Sequence, residues 1–328
     1  MVPSLSRQVF VTGAAGFIGS HLAERLLDLG LEVTGFDNLS TGRKSNLSCA
    51  LKNPRFRFIQ GDLLDPNKTR RTLGKCELVF HLAADPEVRT GTQHPRSHFE
   101  QNLSTTFNLL EAIRERATRT RLVFASTSTV YGEASVIPTP EDYGPMLPIS
   151  TYGATKLGCE ALAASYTQLA PLQVVIFRLA NVVGSRARHG VTYDFIMKLL
   201  EKPQELEVLG DGSQTKSYLH VADCVDAFMM ALRDEFWRDP VNVFNVGSED
   251  RTNVLKIAEI VAGAMGLEGV TVRTTQSIGE RAWPGDVKVM QLDISKIKKH
   301  GWKPKPSGEE TVRLATVQLA EEAGARLP

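Results

Sequence analysis

The sequence predicts an α/β protein: a doubly wound parallel sheet followed by a smaller C-terminal α/β lobe. Three observations predict it. Short β-rich runs alternate with stretches whose apolar residues recur at helical spacing, the order that crossover helices between parallel strands produce. A glycine-rich turn stands between the first β-rich run and the first helix. The alternation then loosens after about Asn181, in a chain whose 328 residues are long for one domain.

Taken in order, Gln8-Val9-Phe10-Val11-Thr12 reads as a buried strand. Phe17 to Leu29 reads as a helix with Phe17, Ile18, Leu22, Leu26 and Leu29 at helical spacing and Gly30 as its stop. Leu31 to Phe36 is the second strand, and Phe56 to Gln60, Leu78 to Leu82, Leu122 to Ser126 and Val174 to Leu179 follow. Between the last two pairs of these lie helical patterns, notably Phe99, Leu103, Phe107, Leu110 and Ile113, which line one face. Beyond Asn181 the chain is punctuated by Pro203, Gly210-Asp211-Gly212 and Trp283-Pro284-Gly285, with helices near Val221 to Arg233 and Val254 to Met265. We therefore expect a sheet domain over 1–180 and a second lobe over 181–328. The segment near 220–248, which holds the run Val241 to Val246, is a candidate to return to the main sheet. Nothing resembling a linker separates the lobes, so a cleft between closely packed halves is expected.

Lys and Arg number 38 against 37 Asp and Glu, a formal net charge of +1. No global field points to nucleic acid or to an anionic membrane, and any polyanion must be held locally. No apolar run reaches the ~18 residues of a membrane-spanning helix. Met1 to Arg7 is too short and polar for a secretion signal, which makes a cytoplasmic location the expectation. Cys49, Cys76, Cys159 and Cys224 lie far apart with no metal-ligand spacing and read as reduced thiols. His21, His81 and His220 fall inside element patterns and read as packed side chains; His94, His98 and His189 have no partner at metal-ligand spacing. No metal is expected.

The strongest local signal is Thr12-Gly13-Ala14-Ala15-Gly16-Phe17-Ile18-Gly19, which sits directly between strand and helix. Gly13 permits the tight turn, Gly16 lets backbone approach a pyrophosphate, and Gly19 lets helix and strand pack closely. The helix N-terminus then meets the anion. Asp37, after the second strand, stands near the ~20-residue offset of the acid that holds a ribose diol. A carboxylate there repels a 2′-phosphate, which favours NAD over NADP. Asp62 after the third strand is placed to reach an adenine amino group, and Leu82-Ala83-Ala84 supplies small residues where a cofactor would pass.

Tyr152-Gly153-Ala154-Thr155-Lys156 sets a phenol and an ammonium four apart on one helical face, after the hydroxyl-rich strand end Ser126-Thr127-Ser128-Thr129. Taking hydride from a secondary alcohol needs a base on the hydroxyl. Free tyrosine, with a pKa near ~10, is a poor one. A neighbouring cation and a positive nicotinamide favour phenolate, while Thr127, Ser126 or Ser128 holds the substrate oxygen.

These motifs resemble the extended short-chain dehydrogenases/reductases. The matching segments are Thr12 to Gly19, Asp37 to Gly42, His81 to Ala84, Thr127 to Gly132, Tyr152 to Lys156, Arg178 to Gly184, Lys216 to Val221 and Trp283 to Asp286. The resemblance runs from about residue 8 to 305 and is nearest to the UDP-glucose 4-epimerases, particularly their shorter archaeal type. It implies a Rossmann fold and catalysis by Thr127, Tyr152 and Lys156. It implies NAD contacts from Gly13, Gly16, Phe17, Ile18, Gly19, Asp37, Asn38, Ser40, Asp62, Leu63, Leu82, Ala83, Ala84, Asn102, Ser126, Tyr152, Lys156 and Ala180. On the UDP-sugar side it implies Thr127, Asn181 at the pyrophosphate, Val208 and Leu209 flanking the uracil, and Lys216, Tyr218 and Asp286. It also implies a homodimer paired through the helices near 100–115 and 152–170.

Four positions depart from that pattern. Lys216 stands where a pyrophosphate-binding Arg is usual, which keeps the charge but loses the bidentate fork. Trp283 stands where a second Arg is common, leaving Arg186, Arg188 or Arg281 to replace it. Asp194 falls at a usually neutral position, with capping of a Phe195 to Leu200 helix as its other reading. Met290 aligns with the residue that gates bulk at the sugar 2-substituent. The leading expectation is reversible C4 epimerisation of UDP-glucose and UDP-galactose, with N-acetylhexosamine or uronate substrates as variants. A dehydratase or decarboxylase would need acids beside Thr127, where Ser128 and Thr129 stand. A non-catalytic NAD-binding module would not need the Tyr152–Lys156 pair.

Overall fold

The computed structural model describes residues 7–275 and 281–325; the first six residues, part of the stretch read above as no secretion signal, lie outside them. Six strands, β1 (Gln8–Thr12), β2 (Glu32–Asp37), β3 (Phe56–Gln60), β4 (Leu78–His81), β5 (Thr120–Thr127) and β6 (Leu172–Leu179), run parallel in one sheet. After the short strands β7 (Asn181–Val183), β8 (Glu205–Leu209), β9 (Thr215–Lys216) and β10 (Tyr218–His220), β11 (Val241–Val246) adds a seventh parallel strand beside β6. The run expected to return to the main sheet does so.

The sheet order is β11-β6-β5-β4-β1-β2-β3. Chain direction across the sheet reverses between β1 and β4, which pair through Thr12 and His81 at their C-terminal ends. Ligands of open α/β sheets bind in the crevice at such a switch point. Both faces are covered, as an all-parallel sheet requires. Strand alternation sends Phe10, Phe36, Val79 and Phe124 against Leu109, Leu110, Ile113 and Cys159 on one side. On the other side Val9, Val11, Phe80 and Phe177 pack with Leu22, Leu26 and Phe228. A third cluster around Phe195, Ile196, Leu206, Val208 and Ile257 forms the core of the C-terminal lobe.

The helix read across Phe99 to Ile113 is interrupted. A π turn spans Phe99–Ser104 before an α-helix over Thr105–Arg116. The extra residue in that turn rotates the stripe, so Leu110 and Ile113 are buried while Phe99 and Phe107 are exposed. Asp194 likewise does not cap its helix: the helix spans Val191–Glu201, Gly190 precedes it, and Asp194 lies in the first turn.

Helix Thr151–Tyr166 is fixed to the sheet by a buried ion pair. The Arg178 guanidinium on β6 meets the Glu160 carboxylate at 2.7 Å, and both side chains are almost wholly enclosed. The Ser126 hydroxyl, at the end of β5, donates to the same carboxylate. Arg178 also donates to the Tyr131 hydroxyl and the Glu141 carbonyl, both at 2.9 Å, and Tyr131 continues to Asn245 on β11. Glu160→Ala strands a buried guanidinium, and urea unfolding should show a loss of about 3–5 kcal/mol. The same truncation at Glu115, whose pairing with Arg70 is exposed, should cost less than about 1 kcal/mol.

Candidate active site

One continuous cavity opens at the switch point and runs from the glycine turn, past the ends of β4, β5 and β6, to the C-terminal lobe. Gly13 adopts φ +69°, and a Cβ there would meet the Ala83 amide nitrogen at 2.8 Å. A Cβ on Gly19 would lie 2.0 Å from the Gly13 carbonyl oxygen. The turn therefore admits only glycine at both positions, and helix Phe17–Asp28 begins against the cavity with its first amides toward it.

Asp37 ends β2 with both carboxylate oxygens aimed by backbone, accepting from Ala15 N at 2.9 Å and Leu39 N at 2.7 Å. Burial raises its pKa, and those two amides oppose the rise. Asn38 donates to Asp62 at 3.0 Å, linking the ends of β2 and β3. Phe17, Ile18, Ser40, Leu63, Leu82, Ala83, Ala84, Ser126 and Ala180 complete this end of the wall.

Two expected contacts are not in the wall. Asn102 is buried behind it, accepting from Asp85 N at 2.8 Å and donating to the Thr155 hydroxyl at 3.2 Å. It joins the loop after β4 to helix Thr151–Tyr166, a role the π turn makes reachable. Val208 is fully buried in the C-terminal core, because strand alternation turns Leu206 and Val208 inward; only Leu209 of the pair reaches the cavity.

Thr127, Tyr152 and Lys156 meet at the centre. Ser150 caps the helix, its hydroxyl accepting from Gly153 N at 3.1 Å, and sets Tyr152 in the first turn. The Tyr152 phenol is pushed up to about 12 by burial, opposed by a hydrogen bond with the Thr127 hydroxyl and assisted by the Asp85 carboxylate. The Lys156 ammonium lies over the Phe124 ring, 4.1 Å from its centroid, and burial pushes it down to about 8. Burial thus leaves the phenol above its ordinary value, the opposite of the lowering by a neighbouring cation that the sequence suggested.

His98 was not singled out by sequence, yet it touches this group. Its fully buried ring packs edge-on against Tyr152 at 5.7 Å. Nδ1 and the Thr151 hydroxyl are 2.8 Å apart, and Nε2 donates to the Glu87 carbonyl at 3.1 Å. His81 and His21 are packed: burial lowers them to about 3 and about 4, and they bond Thr12 and Ser185. His220 caps the helix that follows it.

Toward the C-terminal lobe the wall holds Asn181, Leu209, Lys216, Tyr218, Asp286 and Met290. Lys216 pairs with buried Asp286 at 2.5 Å. The Trp283 ring carries Arg89 and Lys216 against it, each 5.7 Å from the centroid. Of the three replacement arginines, Arg186 is engaged by Glu24 and Ser20, and Arg281 binds Glu133 and the Asp286 carbonyl outside the wall. Arg188 lines the cavity, stacks on Tyr193 and has no ion pair among the described residues. No cluster of metal-ligating side chains occurs among the described residues, and no helix there is long and apolar enough to cross a membrane.

The model of the NAD dependent epimerase/dehydratase family matches residues 9–247. The chain belongs to that family. A UDP-glucose 4-epimerase of Mycolicibacterium smegmatis is 34% identical over 306 residues, 90% of this chain and 93% of that protein. UDP-glucuronic acid decarboxylase 1 of Arabidopsis thaliana is 32% identical, over 92% of this chain and 67% of that protein. Among solved structures, a UDP-galactose 4-epimerase is 44% identical with a TM-score of 0.85, covering 96% of this chain and 99% of its own. A UDP-glucuronic acid 4-epimerase from Bacillus cereus, solved with UDP-glucuronic acid and NAD, is 30% identical with a TM-score of 0.87 at the same coverage. The family and its Rossmann-like parallel sheet agree with the expectations from sequence.

Gly19→Ala forces a methyl into the Gly13 carbonyl, and NAD affinity measured by calorimetry should fall tenfold or more. Lys156 yields a second expectation. Its proton is held only to about pH 8 when folded, against 10.5 when exposed. Between those values the unfolded chain binds more protons, so stability rises with pH across that window and the cost is complete below pH 8. Lys156→Met should therefore stabilise the protein at pH 7 by up to about 3 kcal/mol and flatten that rise, as read from urea unfolding at a series of pH values.

Proposed function

We propose that the protein is a UDP-sugar 4-epimerase that interconverts UDP-glucose and UDP-galactose with NAD held throughout. The observation that carries this reading is that Tyr152 and Thr127 face the same cavity into which the glycine turn opens. The residues fit a dinucleotide: the turn has no room for a Cβ at Gly13 or Gly19 and presents bare backbone at Gly16, and Asp37 presents an aimed carboxylate for a ribose diol. Bound NAD supplies a reversible hydride acceptor for sugar C4 and a ring cation near the phenol.

The chain does the rest. Thr127 holds the C4 oxygen, and Tyr152 takes its proton and later returns it. A phenol near 12 needs positive charge to act at neutral pH, and the Lys156 ammonium is placed one helical turn away to provide part of it. Asn181, Lys216 and Arg188 hold the diphosphate, Arg188 being the cation that compensates for Trp283. Leu209 lies against the uracil, and Met290 borders the sugar. Between Ala84, Ser128 and Thr129 the wall carries small side chains, which leaves a 4-ketose room to turn about its phosphate linkage and receive hydride on its other face. The Ser128 and Thr129 hydroxyls cannot serve as the acid and base of a dehydratase or decarboxylase. The exposed Phe99 and Phe107 fit the expected homodimer face, and the free thiols fit a reducing cytoplasm.

The protein alone, incubated with UDP-glucose, should yield UDP-galactose without added NAD and without net absorbance at 340 nm. Absence of conversion in both directions overturns the reading. Tyr152→Phe should lower kcat by about 10³-fold while UDP-sugar binding persists, since a positioned proton-transfer group is worth 10²–10⁴.

A further inference from the structure

The cavity wall also carries a cluster of charges that the chemistry above does not use. The Arg89 guanidinium is clamped by Glu87 through Nε and Nη2, both at 2.9 Å, and by Asp194 through Nη1 at 3.1 Å. Its flat face lies toward Trp283. All four residues line the cavity. The Glu87 carbonyl is one imidazole away from Tyr152, through His98. The loop that bears Glu87 and Arg89 thus adjoins Tyr152, and on the proposed reading of the cavity its side chains border the sugar.

We propose that Glu87 and Asp194 are specificity-determining residues that make the sugar end of the cavity reject a hexuronate and accept a neutral hexose. This rests on the reading of the cavity as a UDP-sugar site and narrows its substrate class. One guanidinium against two carboxylates leaves the cluster with a net charge of −1. Arg89 spends three of its five N–H groups on these acids, with its Nε–Nη2 edge held bidentately by Glu87 and Nη1 engaged by Asp194. A sugar carboxylate approaching Arg89 would meet two acids already bonded to it, and displacing either would leave two anions side by side in the wall. A C6 hydroxyl meets the opposite situation, since it donates a hydrogen bond to either acid. Of the other charges nearby, His189 faces Glu87, Asp194 and Arg89 but burial lowers its pKa, and Lys198 pairs with Glu207. Asp85 adds negative charge behind the wall, Lys216 is matched by Asp286, and Arg188 serves the diphosphate. Glu87 is ionised at neutral pH: burial pulls its pKa upward, but hydrogen bonds from Arg89 outweigh this and hold it below the usual carboxylate range. Uronate-handling proteins occur among the relatives, so the distinction has to reside in side chains rather than in the fold.

The test is calorimetric binding of UDP-glucose, UDP-glucuronate and UDP to the purified holoprotein, which does not depend on turnover. The wild-type protein should bind UDP-glucose at least 30-fold more tightly than UDP-glucuronate. Glu87→Gln and Asp194→Asn, each of which removes one negative charge with little change of shape, should each cut that ratio tenfold or more. Equal binding of the two sugars by the wild-type protein, or an unchanged ratio in whichever variant folds, overturns the inference while leaving the UDP-sugar reading in place. Failure to bind UDP and both sugars overturns the reading itself and the inference with it. The wild-type ratio needs no variant, so a misfolded substitution cannot rescue the claim.

Discussion

The buried Arg178–Glu160 ion pair is the contact on which the geometry of the site depends. It ties the helix that carries Tyr152 and Lys156 to β6, and through Ser126 to the strand end that carries Thr127. Such a pair contributes little net stability, because desolvating two ions offsets their attraction. What it provides is registry. Glu160 has one low-energy position, under Arg178, and Lys156 and Tyr152 lie one and two helical turns before it on the same helix. Tyr131 and Asn245 extend the network to β11, so the seventh strand supports the helix as well as closing the sheet edge.

Burial has a cost in this site and also does its chemistry. The same enclosure that lowers Lys156 to about 8 raises Tyr152 to about 12. Burial shifts each group toward its neutral form, although Lys156 still carries its proton at pH 7, and both respond strongly to a cation brought beside them, since the surroundings screen weakly. The charge state of this pair is therefore sensitive to what occupies the glycine-lined end of the cavity. Toward the C-terminal lobe the charges are arranged differently. Lys216 and Arg89 are both neutralised by acids and share the Trp283 ring, while Arg188 carries its charge into the cavity without an ion pair among the described residues.

Much of the site was legible because its signals are local. Gly13, Gly16 and Gly19 announce a turn by spacing alone, and Tyr152 and Lys156 share a helical face whatever the helix packs against. The misreadings came where a position depends on distant partners. The stripe from Phe99 to Ile113 is periodic in sequence, but a π turn breaks it, and that turn is stabilised by Asn102 reaching Asp85 and Thr155 across the fold. Val208 and Leu209 are adjacent and equally apolar, and only the alternation of a strand packed on one side separates wall from core. His98 carried no motif because all three of its neighbours, Thr151, Tyr152 and Glu87, come from other segments.

The sequence by itself determined the parallel α/β sheet, the dinucleotide turn, the acid after the second strand and the phenol–ammonium pair, since each follows from spacing within a single strand, turn or helix. Only the tertiary structure decided which of the three candidate arginines has no ion pair among the described residues, where Asp194 points, and that Arg89 is held by two acids in the cavity wall. The pairs that decide them, Arg89 with Asp194, Arg281 with Glu133 and Arg186 with Glu24, join residues 105, 148 and 162 positions apart along the chain. Electrostatic pairing falls off within a few ångströms, so no pattern confined to neighbouring residues can encode it.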